Sequence, residues 1–395
     1  MTPSSGVPDG PAATTPMTPM TPTTPTTPTT PTTPSSVLLA GGGTTGHVAP
    51  LLATADALRR RIPGITVTAL GTQSGLEARI VPERGYDLRF VPRVPLPRKP
   101  DAALVRFPGA LRAAVDAAGQ AIDQTGAHVV VGFGGYVSSP AYLAARRRGI
   151  PIVVHEANAR PGFANRLGAR LTRHVATTFA STRLPHATCL GMPLRQEISG
   201  LDRSALRAEA RGAFGLDPDR TTLLVTGGSL GAARLNQTMA ARSRELTAAG
   251  VQVLHATGAG KGFVPERDPQ AAPYVVLEYV DRMDLAYAAA DVVVCRAGAG
   301  TVCELTAVGL PAIYVPLPVG NGEQRFNAAD VVAAGGGILV EDAALTPVWV
   351  EVVLLPLLTD LARIARMGAA AATVGRRDGD EALVDLILDA FARRR

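Results

Sequence analysis

One local pattern recurs along this chain and constrains its fold more than any other: an apolar run, a glycine-rich turn, then a helical pattern. Its first instance runs Val37-Leu38-Leu39-Ala40-Gly41-Gly42-Gly43-Thr44-Thr45-Gly46-His47-Val48-Ala49-Pro50 and empties into a helical stretch from Leu51 to Arg60. Glycines let the backbone approach a ligand closely, and unpaired N–H groups at a helix start attract an anion. His47 ends the turn, where a strand-to-helix loop meets its ligand. A phosphate cradle with a titratable side chain at its lip points to chemistry on a phosphorylated substrate. One such turn is common in doubly wound domains, so the weight lies in its repetition.

A second turn, Gly132–Pro140 (GFGGYVSSP), again follows a strand and opens a helix, with Ser138 or Ser139 as its cap and Pro140 at the first helical position. Next, His155–Gly162 (HEANARPG) places Glu156 and Asn158 where a strand leaves the sheet, a position from which side chains reach the ligand crevice. A third turn, Leu224–Ala232 (LVTGGSLGA), lacks the spacing of a dinucleotide site and fits a nucleoside diphosphate better. Cys295–Glu304 (CRAGAGTVCE) opens another helix with Glu304 in its first turn, and Gly320–Ala328 brings amides to a further helix start.

Apolar runs at His128–Gly132 and Ile152–Val154 flank a helical Ala141–Arg148. Further strands are expected at Thr222–Thr226, Val251–His255, Tyr274–Leu277, Asp291–Cys295, Ala312–Val315 and Gly337–Val340, with helices at Met283–Ala290, Thr301–Val308 and Gln324–Ala334 between them. Continuous apolar strands alternating with helices indicate parallel sheets covered on both faces. The pattern restarts near Thr221, which puts a domain boundary near Gly191–Arg195 and gives segments 36–192 and 193–395. Residues 1–35 stand apart, being largely Thr-Thr-Pro repeats that read as an extended, solvated tail. Leu383, Ile387 and Phe391 stripe a last helix, which is expected to pack back towards the first domain.

The 395 residues suffice for two cores, with 46% hydrophobic and 18% charged residues. Aromatics make up only 4%, and no stacking platform for nucleic acid is visible. A net charge of +6 suits an anionic partner such as a diphosphate or an acidic lipid surface. Cys189, Cys295 and Cys303 form no metal-ligand or CxxC spacing and suggest reduced thiols in a cytoplasmic setting. No run approaches the roughly 20 apolar residues of a membrane span, so contact with a membrane is expected to be peripheral. The segment from Val94 to Pro100, continuing through Leu104, Val105, Arg106, Phe107, Leu111 and Arg112, mixes apolar and basic residues as a headgroup-contacting patch does.

Taken in order, Gly41–His47, Gly132–Tyr136, His155–Asn158, Gly191–Arg195 (GMPLR), Thr226–Ser229 (TGGS) and Arg296–Glu304 resemble the MurG family of bacterial glycosyltransferases, from about Val37 to the end of the chain. The resemblance implies an α/β GT-B fold, with two Rossmann-like parallel-sheet domains facing across a cleft. It implies transfer of N-acetylglucosamine from UDP-GlcNAc to undecaprenyl-diphosphate-linked MurNAc-pentapeptide at the cytoplasmic face of the cell membrane, within a cell-wall synthesis complex. Ser229, Val280, Ala299, Gly300, Thr301, Val302, Cys303, Glu304 and Gln324 would hold the donor; Thr44, Thr45, Gly46, Asn158 and Arg195 would complete its site. Gly42, Gly43, Gly134, Gly135 and Tyr136 would cradle the acceptor diphosphate. One departure stands out: Thr45 replaces a glycine found in many members, which puts any left-handed backbone requirement there in doubt.

Transfer with inversion needs a base at the acceptor hydroxyl and support for the leaving diphosphate. His47 is the first candidate base, since an unperturbed imidazole titrates at about 6.5; Glu156 is its rival. Arg195 and the helix start after Ser229 can support the diphosphate, and with no DxD-like acidic cluster neither a metal nor a bound cofactor is expected. The alternatives are a GT-B transferase for another lipophilic acceptor, a UDP-GlcNAc epimerase and a non-catalytic nucleotide-sugar binding protein.

Overall fold

The computed structural model describes residues 33–95, 102–228, 232–318 and 322–394. The Thr-Pro repeats, the Leu96–Pro100 part of the basic–apolar segment, Ser229 and Gly320 lie outside the described residues. The valine-rich runs form the strands. In the first half these are β1 Ser36–Ala40, β2 Thr66–Gly71, β3 Asp87–Phe90, β4 Val129–Gly132, β5 Ile152–Glu156, β6 His174–Thr177 and β7 Ala187–Cys189. The second half holds β8 Thr222–Thr226, β9 Gln252–Ala256, β10 Tyr274–Leu277, β11 Val292–Cys295, β12 Ala312–Tyr314 and β13 Gly337–Leu339.

Two parallel sheets result, ordered β3-β2-β1-β4-β5-β6-β7 and β10-β9-β8-β11-β12-β13. Central registers pair Leu39 with Val131 and Val293 with Leu224. β1, β4 and β5 are buried along their whole length, as strands with helices on both faces must be. Both strand orders reverse between the first and fourth strands of their sheet. At such a switch point the loops leaving two neighbouring strands diverge to opposite faces and open a crevice. The turns after β1 and β4, and those after β8 and β11, sit at these two points.

Local chemistry sets the helix ends. The Asp202 carboxylate accepts the Ser204 and Ala205 N–H groups and starts the helix Arg203–Ala213. Two expectations need correction. The helix after β4 spans Gly135–Arg148, so Ser138 and Pro140 lie inside it rather than at its cap and first position. The Ser138 hydroxyl instead takes the Gly134 N–H and ties the turn to Ala40 O at 2.9 Å. The expected single helix Gln324–Ala334 is two short ones, Glu323–Asn327 and Ala329–Ala333. Thr45 begins the helix Thr45–Arg61, and the left-handed residue of that turn is Gly43 at φ 89°, so no glycine is needed at 45.

The final helix, Gly379–Ala392, follows the second sheet in sequence but packs on the first. Leu383, Val384, Ile387 and Phe391 share one core with Val37, Leu39, Val129, Val131 and Val153. Arg60 reaches Asp380 at 2.7 Å and Arg61 reaches Asp385 at 2.9 Å along its edge.

Candidate active site

The turns after β1 and β4 meet backbone to backbone. A β-carbon on Gly135 would stand 2.5 Å from the Gly42 carbonyl oxygen, and one on Gly134 would stand 3.0 Å from His47 Nε2. Both residues also have positive φ, 100° at Gly134 and 76° at Gly135. Only glycine meets both demands, so these positions are set by closeness to the histidine loop.

His47 is the third residue of the helix Thr45–Arg61. Its Nδ1 lies 3.2 Å from Gly42 O and 3.2 Å from Thr44 Oγ1. A carbonyl can only accept, so the bond to Gly42 puts the ring proton on Nδ1 and leaves Nε2 with its lone pair. Burial is the largest influence on this ring and lowers its pKa below the usual 6.5, against the opposing charges of Glu156 and Glu77 and the Gly42 bond. At neutral pH the ring is therefore neutral, with a basic nitrogen facing the Gly134 turn.

A residue unmarked by any motif holds the first turn. Glu77, fully buried, accepts N–H bonds from Gly43 and Thr72 at 2.8 Å each and the Thr72 hydroxyl at 2.8 Å. Burial pushes its pKa up, but these bonds outweigh burial and hold it below the ordinary glutamate value.

Glu156 is differently placed from His47. One oxygen takes the Asn158 N–H at 2.9 Å, and the other takes the Gly162 N–H at 2.9 Å and Asn165 Nδ2 at 3.0 Å. The carboxylate thus folds the loop that follows β5. Asn165, also unmarked in the sequence, is fixed by the Tyr142 hydroxyl at 2.7 Å.

These groups line one cleft of about 670 Å³. It gathers Gly42, Gly43, Thr44, His47, Gly134, Gly135, Tyr136, Glu156 and Asn158, while Thr45 and Gly46 stay exposed at the helix start outside its lining. Its far wall is apolar, formed by Val94, Phe107, Leu111, Phe163 and Leu167. Arg93 stands at its edge with Cζ 5.1 Å from the Tyr136 ring centre, and has no carboxylate partner among the described residues.

In the second half, the helix Ala299–Ala307 begins beside the β8/β11 switch point with no side-chain cap, which leaves its first N–H groups free. Ala299 and Val302 turn into the core, as does Val280, so a ligand can meet their main chain only. Burial raises the Cys303 thiol far above its usual range. Glu304 receives the Tyr287 hydroxyl at 2.7 Å; burial raises its pKa, opposed by that bond and by the Arg195 charge. Gln324 accepts the Leu317 N–H at 2.9 Å and closes its loop. Asn327 reaches across to the first half and bonds Ala159 and Asn158. Among the described residues no group of three or more His, Cys, Asp or Glu side chains is placed to hold a metal.

Two doubly wound domains, one with a histidine-lipped double glycine turn and the other with an uncapped helix start carrying a buried carboxylate, define a nucleotide-sugar glycosyltransferase. Residues 37–177 match the glycosyltransferase family 28 N-terminal domain, and residues 222–383 match its C-terminal domain. A UDP-N-acetylglucosamine--N-acetylmuramyl-(pentapeptide) pyrophosphoryl-undecaprenol N-acetylglucosamine transferase of Nocardioides is 59% identical over 355 residues, covering 89% of this chain and 97% of the relative. Its namesake from Leifsonia xyli is 60% identical over 353 residues, covering 89% and 98%. The crystal structure of Acinetobacter baumannii MurG superposes with a TM-score of 0.71 at 28% identity, covering 90% of this chain and 100% of that one. The UDP-GlcNAc 2-epimerase of Neisseria meningitidis, bound to UDP-GlcNAc, shares the fold alone, at 13% identity and a TM-score of 0.60 over 90% of this chain and 100% of that one. The chain belongs to glycosyltransferase family 28 and, within it, to the MurG transferases.

Proposed function

We propose that this protein moves N-acetylglucosamine from UDP-GlcNAc to the C4 hydroxyl of MurNAc in undecaprenyl-diphosphate-linked MurNAc-pentapeptide, with inversion, at the cytoplasmic face of the membrane. One observation carries the reading: the cleft joins an anion cradle, a neutral imidazole and an apolar wall in a single space. An acceptor made of a sugar, a diphosphate and a long prenyl chain needs all three. An epimerase acting in solution would leave the apolar wall without a role.

The chemistry follows from the placement of charge. The acceptor C4 oxygen attacks the donor anomeric carbon while the bond to UDP breaks, through an oxocarbenium-like state. His47 Nε2 takes the hydroxyl proton, since it holds the lone pair that Nδ1 lacks. Glu156, with both oxygens committed to main-chain and amide donors, positions the loop instead. Negative charge developing on the leaving diphosphate is met by Arg195 and by the uncapped starts of the helices Ala233–Ala240 and Ala299–Ala307. Glu304 accepts from the ribose hydroxyls. The glycine turns and Arg93 hold the acceptor diphosphate, and neither step calls for a metal or a bound cofactor.

Access to a lipid acceptor comes through the helix Ala102–Thr125. Val105 is 83% exposed, Arg106 and Arg112 stand beside it in solvent, and Phe107 and Leu111 continue into the cleft wall. Basic residues near an anionic surface contribute about 1 kcal/mol each. No described helix is long and apolar enough to cross a membrane.

The test is direct. Purified protein is incubated with UDP-GlcNAc and a short-chain lipid-diphosphate MurNAc-pentapeptide, with UDP-glucose as control. An acceptor heavier by one N-acetylhexosamine, with UDP formed and glucose refused, is the expected result. UDP release without acceptor growth would mean hydrolysis or epimerisation and would overturn the reading.

A further inference from the structure

We propose that Asn327 is a positioning residue that couples the donor-side helix Glu323–Asn327 to the first-domain loop after β5; the inference rests on the transferase reading above. Asn327 closes the helix Glu323–Asn327 and is 1% exposed. Its Oδ1 accepts the Ala159 N–H at 2.9 Å, and its Nδ2 donates to Asn158 Oδ1 at 3.3 Å and to Ala297 O at 3.3 Å. The amide orientation is fixed by chemistry, because an N–H can only donate and a carbonyl can only accept. One side chain thus spends its acceptor and both amide hydrogens on two neighbouring residues of one first-domain loop and on one residue of the second domain.

The two ends of this bridge are functional elements. Ala297 immediately precedes Gly298, the extended residue from which the donor-side helix Ala299–Ala307 starts. Asn158 and Ala159 belong to the loop that the Glu156 carboxylate gathers through Asn158 and Gly162. Beside the bridge, the Arg160 guanidinium carbon lies 3.9 Å over the Phe326 ring, so consecutive residues of the loop and of the helix clasp each other. Gln324, a turn earlier on the same short helix, holds the Leu317 N–H. Ligand contacts at this helix and at the loop therefore act on one rigid pair of elements. Binding that orders one side lessens the cost of ordering the other.

The experiment measures steady-state kinetics for both substrates, and binding of UDP alone, in the full-length protein and in Asn327→Ala, Asn327→Asp, Asn158→Ala and the double alanine variant. In Asn327→Ala, kcat is expected to fall about tenfold and the acceptor KM to rise about tenfold, because small misplacements of a loop are costly in rate. UDP, held by the second domain, is expected to bind within about twofold of wild type, a split that general loss of structure would not produce. Asn327→Asp keeps the Ala159 bond but sets a carboxylate against two oxygens, so it is expected to be no better than alanine. The double variant is expected to fall short of the sum of the two single losses, because Asn327→Ala already removes the partner of Asn158. Phe326→Ala, on a half-exposed ring, covers the case in which Asn327 variants fail to fold; its acceptor KM is expected to rise about threefold. Unchanged acceptor kinetics in Asn327→Ala, a parallel loss of UDP affinity, or an additive double variant would overturn the inference. A wild-type protein that forms no product would instead sink the transferase reading itself.

Discussion

Glu77 Oε2 lies 2.8 Å from the Gly43 nitrogen, so a buried carboxylate holds the first glycine turn. A buried carboxylate under the turn proposed for the acceptor diphosphate is tolerable because Glu77 spends its charge on Gly43 and Thr72, and because Gly42 lets it come close. Glu77→Ala leaves these donors without their acceptor and is expected to cost about 3 kcal/mol in a denaturant titration. It should also raise the acceptor KM more than the donor KM. The folded-state pKa of Glu77 is depressed, so its contribution is full above the unfolded glutamate value. It is lost as pH falls through the lower folded value. An acid titration of Glu77→Ala should therefore lack the part of the wild-type stability loss that begins below about pH 4.5.

For His47 the sign runs differently. Burial favours its neutral form, which is the form a base requires. The acid limb of kcat/KM should fall below pH 6.5, the ordinary histidine value. His47→Ala should remove that limb and lower kcat by about a hundred- to ten-thousand-fold, with UDP-GlcNAc affinity little changed. If turnover barely moved, the base would have to be sought elsewhere. Gly134→Ala tests the same contact from the other side, because its methyl would press on Nε2 at 3.0 Å.

Much of this architecture is legible in the chain because apolar runs and glycine turns carry their own periodicity. All six strands of the second sheet coincide with runs such as Val292–Cys295. β3 and β7 do not announce themselves: both lie at a sheet edge, with Asp87–Phe90 and Ala187–Cys189 largely exposed and without an apolar run. The same reason hides part of the site. His47 and Glu156 sit in motifs, whereas Glu77 and Asn165 act through backbone groups and amides distant in sequence, and nothing in their neighbourhood sets them apart. Glu156 shows the converse limit, since a motif carboxylate at the cleft proves to be committed to its own loop.

Arg93 is a cation placed to answer the proposed acceptor diphosphate. It borders the cleft on the Tyr136 ring and has no acidic partner among the described residues. Being exposed, it works through water, and its loss should be worth about 1 kcal/mol. Arg93→Ala should thus raise the acceptor KM about fivefold and leave the donor KM unchanged. The assay uses a water-soluble short-chain acceptor without vesicles, so that a change seen only with anionic vesicles would reassign Arg93 to the membrane surface.

Glu304 and Tyr287 connect donor binding to pH. In its proposed role Glu304 accepts ribose hydroxyls most strongly when ionised, and burial already raises its pKa above the ordinary glutamate value, with the Tyr287 hydroxyl and the Arg195 charge pulling it back. Donor affinity should therefore climb as pH rises through that elevated value, a trend opposite to the loss expected from a cationic ligand. Tyr287→Phe removes one of the two restraining influences without opening a cavity, so it should move the climb to higher pH. At neutral pH it should weaken UDP binding, because a larger share of Glu304 is then protonated. Glu304→Ala should abolish the pH dependence and raise the UDP-GlcNAc KM more than tenfold, with a smaller effect on kcat. Titration of UDP from pH 5 to pH 8 separates the outcomes. A Tyr287→Phe curve that superposes on wild type would show that the tyrosine serves packing alone, and an unchanged KM in Glu304→Ala would remove the carboxylate from the ribose.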